Sequence, residues 1–368
     1  MEFIFELATP DDDPAIRRLL AENPVPGRVT VTYEREPNYF LGCGAMGRFC
    51  QVLVARRPIG GPVVAVATRT TRPLFINGQP EEVGYIGQLR VDRPFQGRWI
   101  VSGGFRFFQQ LHADGRVRGY LTTIIEGNAQ AEGILVRRAR RHFPAYRELD
   151  RLCTVAIILR RSTAIPASAT EICRGSPAVL AEIVRFLYQH GAARQFFPVY
   201  CENDFNESPT TLGFRVEDFV LACRAGHLVG LMGLWDQSTY KQTMVQAYDN
   251  PLRSLRPVYN LGLRLIGAQP LPPPGRPIHF AYVSFVCLAG NDPALFDLLL
   301  RHLYNLAAAR GYAYLMVGLS TRDPLLPVAR RYAHIPYYSR LYSVCWKDEM
   351  SFHEELDDRL PYVEIAAL

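Results

Sequence analysis

Neither a paired-cysteine motif nor a long apolar run occurs in this chain of 368 residues. The eight cysteines are scattered, and none forms a CxxC pair or joins histidines at zinc-finger spacing. A membrane-spanning helix needs about 18 consecutive apolar residues, and no such run is present. The opening stretch MEFIFELATPDDD has no basic segment followed by an apolar one, so we expect no signal peptide. These absences predict a cytoplasmic protein with reduced thiols, no metal and no membrane span.

The charge balance is equally unremarkable for a nucleic-acid-binding protein. The net charge is +6, which is mild for this length, and basic residues do not alternate with aromatic ones along any stripe. Nucleic acid is therefore not an expected partner, whereas a small polyanionic ligand fits the charge. With 48% apolar residues the chain has material for sizeable cores, and its length favours two domains.

Strand-like and helix-like segments alternate along the chain, and the series restarts once. The first series ends near residue 160, a small, polar, proline-containing stretch follows, and a similar series begins near residue 170. We therefore predict an α/β fold with an N-terminal domain over 1–160, a linker over 161–169 and a C-terminal domain over 170–368. Each domain should have a central mixed β-sheet flanked by helices.

One segment of each series supports an internal duplication. HFPAYRELDRLC, which begins at His142, and HIPYYSRLYSVC, which begins at His334, agree at five of twelve positions at an offset of about 192 residues. The matches include Tyr146 with Tyr338 and Cys153 with Cys345. We interpret the chain as two copies of one α/β fold.

The two copies differ in the turn that joins a central strand to a helix. In the first copy the turn RVDRPFQGRWIVSG is basic, and in the second the turn VCLAGNDPALFD has two acidic residues and no basic one. A helix N-terminus leaves about four N–H groups unpaired and attracts anions. Only the first turn is therefore a candidate for binding phosphate, although an ordinary surface turn would have the same outline.

This order of elements, with V-x-x-P-x-x-Q-G-R between strand and helix and an Asn opening the next helix, resembles the GNAT superfamily of acyl-CoA-dependent N-acyltransferases. The resemblance implies a strand that pairs with the pantetheine arm of coenzyme A, a turn that holds its pyrophosphate and an Asn that contacts it. The cofactor-binding residues it implies are Leu89, Val91, Gln96, Gly97, Arg98, Trp99, Ile100, Val101, Ser102 and Asn128.

Two residues are candidates for proton transfer. Glu126, at the end of the strand before Asn128, is a possible base, or else a solvated strand end. Tyr146 is a possible acid for the leaving thiolate, or else a packing residue, since Tyr338 recurs in the second copy. The family often has a tyrosine near position 134, where this chain has Ile134.

The resulting hypothesis is an acyltransferase that moves an acetyl or other acyl group from coenzyme A to an amine acceptor, with the first copy active. Trp99 and Val101 replace small residues of the family turn, and with Ile134 they favour an alternative, a non-catalytic acyl-CoA-binding or structural protein. A weaker alternative, a nucleic-acid adaptor, depends on the basic run VRRARRH over Val136–His142, which is also compatible with a ribose phosphate, an acidic acceptor or a solvated helix face. The oligomeric state stays open.

Overall fold

The computed structural model describes residues 3–58, 60–96, 99–136, 143–346 and 351–368. Two predicted site residues, Gly97 and Arg98, and most of the basic run lie outside the described residues. The strands of the N-terminal half are β1 (Ile4–Leu7), β2 (Val29–Glu34), β3 (Phe49–Arg56), β4 (Val63–Ile76), β5 (Gln79–Val91), β6 (Tyr120–Ile125) and β7 (Ala145–Ile158). Those of the C-terminal half are β8 (Glu171–Arg174), β9 (Phe219–Arg224), β10 (His227–Trp235), β11 (Gln242–Tyr248), β12 (Phe280–Leu288), β13 (Tyr314–Ser320) and β14 (His334–Cys345).

Helices flank the sheet and connect its strands. They are α1 (Asp13–Glu22), α2 (Cys43–Met46), α3 (Ile100–His112), α4 (Ala129–Ala131), α5 (Leu180–Gly191), α6 (Asn250–Leu265), α7 (Pro293–Ala309), α8 (Leu326–Ala329) and α9 (Ser351–Glu355). A π-helical turn over Glu132–Val136 continues α4. Within the described residues, no helix has both the length and the apolarity that crossing a bilayer would require.

Twelve strands from both halves form a single mixed sheet, which confirms the predicted α/β class. Their order is β1-β3-β4-β5-β6-β14-β7-β13-β12-β10-β9-β8. The last strand of each half lies within the other half, since β14 pairs with β6 and β7 pairs with β13. The two halves are thus joined through the middle of one sheet rather than stacked as separate sheets.

The two segments with matching sequences lie side by side at this junction. β7 and β14 are antiparallel neighbours over their full length, with Leu341 opposite Asp150 near the centre. Since the two strands are antiparallel, matching residues of the two segments lie at similar distances on either side of this point. The junction therefore has the geometry of a local two-fold axis. The sequence match at an offset of 192 therefore coincides with matching positions in the sheet.

Each half contains a central strand with one bulge. In β5 the bulge places Gln88 at φ +55°, and in β12 it places Phe285 at φ +56°. Such bulges bend a strand and turn its backbone groups away from the regular ladder. After its bulge each central strand diverges from its parallel neighbour: β5 pairs with β6 only through Gly84–Tyr120 and Tyr85–Leu121. A wedge-shaped gap opens between β5 and β6 beyond these pairs.

A second, two-stranded sheet connects the halves on one side of the molecule. It consists of β2 and β11, which are more than 200 residues apart and pair from Glu34–Gln242 to Val29–Tyr248. β11 leads directly into α6, whose N-terminus is capped by Asp249 through the Leu252 amide. This pairing holds α6 at the periphery, away from the central sheet.

Candidate functional site

A cavity of about 270 Å³ occupies the gap between β5 and β6, which we call the first cleft. Its walls come from the bulge of β5, from one face of α3, from β6 and from the start of α4. The lining is mostly aliphatic and aromatic, with a few polar groups, including Arg90, Thr122, Thr123 and Asn128. A mostly apolar cavity with a few polar groups is the usual form of a small-molecule site.

The structure brings five of the predicted cofactor residues and one predicted catalytic residue together at this cavity. The predicted residues that line it are Leu89, Val91, Ile100, Val101, Asn128 and Tyr146. Ser102 lies one residue beyond Val101 on α3 and does not line the cavity. The Asn128 side chain accepts a hydrogen bond from the Ala131 amide at 3.0 Å, so it also caps α4.

The turn before α3 forms the rim of the cleft. The Gln96 side-chain nitrogen, Nε2, donates to the Val91 carbonyl at 3.1 Å, and its Oε1 accepts from the Gln130 side chain at 3.3 Å. These two bonds connect the strand, the turn and α4 around the opening. The Trp99 side chain is 70% exposed, so its indole points to solvent and does not fill the cleft. No side chain caps α3 at Trp99.

Two tyrosines, Tyr85 and Tyr146, line the cavity. Burial raises the pKa of the Tyr146 hydroxyl and also that of Tyr85. Tyr85 shares a 2.8 Å hydrogen bond with the Thr123 hydroxyl, which fixes its ring on the wall of the cleft. A phenol that stays protonated at neutral pH has a proton to donate to a developing thiolate. From its place on the central strand, Tyr85 is expected either to line an acceptor pocket or simply to pack, and the structure places it on the wall of the cavity.

The second predicted catalytic residue, Glu126, lies outside the cavity. Its carboxylate accepts two hydrogen bonds from the Arg151 guanidinium, at 2.7 and 2.8 Å, and Arg340 lies 3.6 Å away. The hydrogen bonds from Arg151 lower the pKa of the Glu126 carboxyl. The residue is therefore a charged partner of two arginines at the end of β6.

In the C-terminal half the corresponding gap, between β12 and β13, is filled by the end of the chain. The Glu364 carboxylate accepts a hydrogen bond from the Phe285 amide at 2.8 Å, and the Tyr362 hydroxyl accepts one from the Val286 amide at 3.2 Å. Ile365 packs against Gly318 of β13 so closely that an added Cβ would lie 2.2 Å from its side chain. The backbone groups of the second bulge are thus satisfied internally.

The helix that follows the second bulge also carries its own anion. The Asp292 carboxylate accepts hydrogen bonds from the Ala294 and Leu295 amides at the start of α7, at 2.8 and 3.3 Å. A carboxylate at this position satisfies the orphan amides and neutralises the positive end of the helix. Asp292 is therefore an ordinary N-cap of α7.

The chain end also reaches the first cleft. Leu368 contributes to its wall, and the Lys241 ammonium donates to the Leu368 and Ala366 carbonyls at 2.8 and 3.3 Å. Burial, followed by the nearby Arg35 charge, lowers the pKa of Lys241 well below its ordinary value. The tail DRLPYVEIAAL changes from acidic to apolar, which is compatible with docking on the body or on another chain, and in the structure it packs on the body. Its path through the second half to the first cleft had no local signal.

A bulged central strand, a helix that begins beside it and a diverging parallel strand together define the GNAT acyltransferase fold. No protein-family profile matches the sequence, and no curated protein matches it. Solved structures do match. A GCN5-related N-acetyltransferase from Sphaerobacter thermophilus aligns with 99% of this chain and 98% of its own, at 13% identity and a TM-score of 0.56.

Two further solved structures have the same fold. Saccharomyces cerevisiae N-myristoyltransferase with bound myristoyl-CoA covers 93% of this chain and 82% of its own, at 10% identity and a TM-score of 0.63. The GCN5-related glucosamine N-acetyltransferase region of a fungal multi-domain β-N-acetylglucosaminidase covers 93% of this chain and 38% of its own, at 14% identity and a TM-score of 0.61. This chain therefore has the GNAT fold that the motif resemblance implied.

Proposed function

We propose that this protein transfers an acyl group from coenzyme A to an amine, and that the first cleft holds the acyl-CoA. The observation that carries the proposal is the contrast between the two gaps in one sheet. The first gap is an open cavity beside the start of α3, and the second is filled by Tyr362, Glu364 and Ile365 beside α7, whose N-terminus Asp292 caps. The fold neighbours are N-acyltransferases, one of them with myristoyl-CoA bound.

In this proposal, the start of α3 binds the cofactor and the bulge of β5 polarises the thioester. The N-terminus of α3, with Arg98 from the sequence, binds the diphosphate. The bulge of β5 directs the amides of Gln88 and Leu89 toward the thioester carbonyl, as the corresponding amides of β12 are directed toward Glu364 and Tyr362.

The neutral amine attacks the thioester carbonyl carbon, and the C–S bond breaks as the C–N bond forms. Tyr146 donates its proton to the departing sulfur, and the proton that the new amide nitrogen loses returns to the Tyr146 phenolate, directly or through water. Glu126, paired with arginines outside the cavity, is better placed to order the end of β6 than to act as base.

The experiment gives the N-terminus of α3 the carboxylate that the N-terminus of α7 already has. In Trp99→Asp a carboxylate lies at the start of α3, as Asp292 does at the start of α7, while Trp99→Asn adds the same shape without charge. We expect the aspartate variant to bind acetyl-CoA or myristoyl-CoA at least about tenfold more weakly, because a like charge then faces the diphosphate. Isothermal titration calorimetry measures the affinity, and circular dichroism checks the fold.

The asparagine variant should bind within about threefold of the wild type, since it places no charge beside the diphosphate. Equal binding by both variants, or no binding of any acyl-CoA by the wild type, would exclude the first cleft as the site.

A non-catalytic acyl-CoA-binding protein is the second candidate, because no tyrosine stands at position 134 and Trp99 and Val101 depart from the family turn. Release of free thiol from acyl-CoA in the presence of a panel of amines separates the two. Binding without thiol release in any mixture favours the binding protein. The duplicated origin of the two halves is part of this proposal and is supported by the matching bulges at Gln88 and Phe285.

A further inference from the structure

The helix α6 turns its apolar side away from the protein. Of the seventeen large apolar side chains that the described residues expose, six lie on this helix or directly after it. They are Leu255, Val258, Tyr259, Leu261, Leu265 and Ile266, which we call the α6 stripe. Val258 is 69% exposed and Leu265 75%. An apolar stripe of this kind on a helix surface marks an interaction site.

The contacts of α6 with the body fix this orientation. Asn260 exchanges two hydrogen bonds with the backbone of Leu271, at 2.8 and 3.2 Å, and the Arg256 guanidinium lies 5.7 Å from the Tyr248 ring centroid. At 3.6 residues per turn, Leu252 and Leu263 share the inward side with these two residues. Val258, Leu261 and Leu265 then lie on the opposite side of the helix.

Positive charge lies along the α6 stripe, and the helix itself contains no acidic residue. Arg253 and Arg264 are exposed and lie together along one flank of the stripe, eleven residues, or three turns, apart. From residue 250 to residue 278 the sequence contains four arginines and no aspartate or glutamate. The exposed Arg28 stands near the start of the helix, 3.6 Å from Asp249.

We propose that α6 docks on the surface of an anionic lipid bilayer, with its stripe in the headgroup region and its arginines against the lipid phosphates. A helix with one apolar face, a basic flank and low overall hydrophobicity lies in the plane of a membrane interface. A second copy of this chain fits less well. In an antiparallel pair of α6 helices the two basic flanks would lie side by side, with Arg253 of one copy near Arg264 of the other and no carboxylate on the helix to offset the like charges.

The position of α6 makes this docking compatible with an accessible first cleft. β11 separates Lys241, beside the cleft, from Asp249 at the start of α6, a span of roughly 25 Å for an extended strand. The stripe contains none of the residues that line the cavity. The inference therefore holds or fails independently of the proposed transferase activity.

The test is co-sedimentation of the full chain with phosphatidylcholine vesicles, with and without phosphatidylserine. We expect binding to the anionic vesicles and little to the neutral ones. Val258→Ser combined with Leu265→Ser should abolish sedimentation, because the pair removes the two most exposed apolar side chains of the α6 stripe. The fold should survive, because both side chains are already exposed in the folded protein. Arg253→Gln and Arg264→Gln should each weaken partitioning roughly fivefold. Ile165→Ser, an equally simple change at an exposed aliphatic outside α6, is the matched control and should bind as the wild type does.

A second readout does not depend on losing a contact. In Leu261→Trp, a change on the outward side of the helix, the new indole, after subtraction of the wild-type signal, should shift its emission to the blue on addition of anionic vesicles. Absence of wild-type sedimentation, equal binding to both kinds of vesicle, or binding unaffected by the serine pair would each overturn the proposal. Self-association that the serine pair removes, without vesicle binding, would also overturn it and would assign the stripe to a protein interface.

Discussion

Filling the first cleft from α3 is the most direct perturbation of the proposed acyl-CoA site. Gly104 lines the cavity, and a Cβ built on it would meet only the Phe5 ring edge, at 3.9 Å. A benzene-sized space is about 150 Å³, so the phenyl group of Gly104→Phe would take more than half of the 270 Å³. A ligand that loses about 100 Å² of apolar contact at about 25 cal/mol per Å² binds about 2.5 kcal/mol more weakly, or roughly seventyfold.

The same change should not unfold the protein. Glycine in a helix interior is less favourable than phenylalanine by about 0.5 kcal/mol, so the free energy of unfolding should stay level or rise slightly. Calorimetric titration with acyl-CoA gives the affinity, and urea denaturation gives the stability.

Gly104→Ala is the matched control, since its methyl group makes only ordinary contact and should leave the affinity within about twofold. Gly103→Ala, one residue earlier, would place its Cβ 2.3 Å from the Phe5 ring and should destabilise the fold instead. A folded Gly104→Phe variant that binds acyl-CoA as tightly as the wild type would refute the assignment of this cavity.

Two further changes test the acid and the filled gap. Tyr146→Phe should lower kcat for thiol release about 100-fold and leave KM for acyl-CoA within about threefold, because the hydroxyl acts on the leaving sulfur; an unchanged kcat would return Tyr146 to a packing role. Burial raises the pKa of the Glu364 carboxyl above its ordinary value, so the folded state holds that proton more tightly than the unfolded state. The stability contributed by this proton is present below the ordinary carboxyl pKa and is lost as pH rises through the raised pKa, by up to about 1.4 kcal/mol per pH unit. The free energy of unfolding of the wild type, relative to Glu364→Gln, should accordingly fall in urea titrations as the pH rises above the ordinary carboxyl pKa of about 4, and a constant difference would contradict this.

Local sequence signals predicted the elements that build the cleft. The strand and helix predicted on either side of the basic turn RVDRPFQGRWIVSG correspond to β5 and α3. These elements depend on residue alternation, helical spacing and turn chemistry within about 30 residues, which a sequence displays directly.

Long-range pairings had no such signal. The insertion of β14 between β6 and β7 joins residues more than 170 apart, and the pairing of β2 with β11 joins residues more than 200 apart. The helix α6 has no counterpart among the predicted elements, and its apolar stripe faces outward, against the usual expectation for a surface helix. The occupant of the second gap depends on the tail folding back over Tyr362–Ile365, which no pattern around those residues indicates.

The contrast between the two gaps follows from how backbone groups are satisfied. A bulge turns amides out of the strand ladder, and a buried amide needs a partner from side chains, water or ligand. In β12 the tail supplies that partner permanently through Glu364 and Tyr362, so the second bulge contributes to stability. In β5 the same bulge opens onto a cavity at Gln88 and Leu89. The bulge of β12 thereby fixes the end of the chain, whereas the bulge of β5 faces a cavity with room for a ligand.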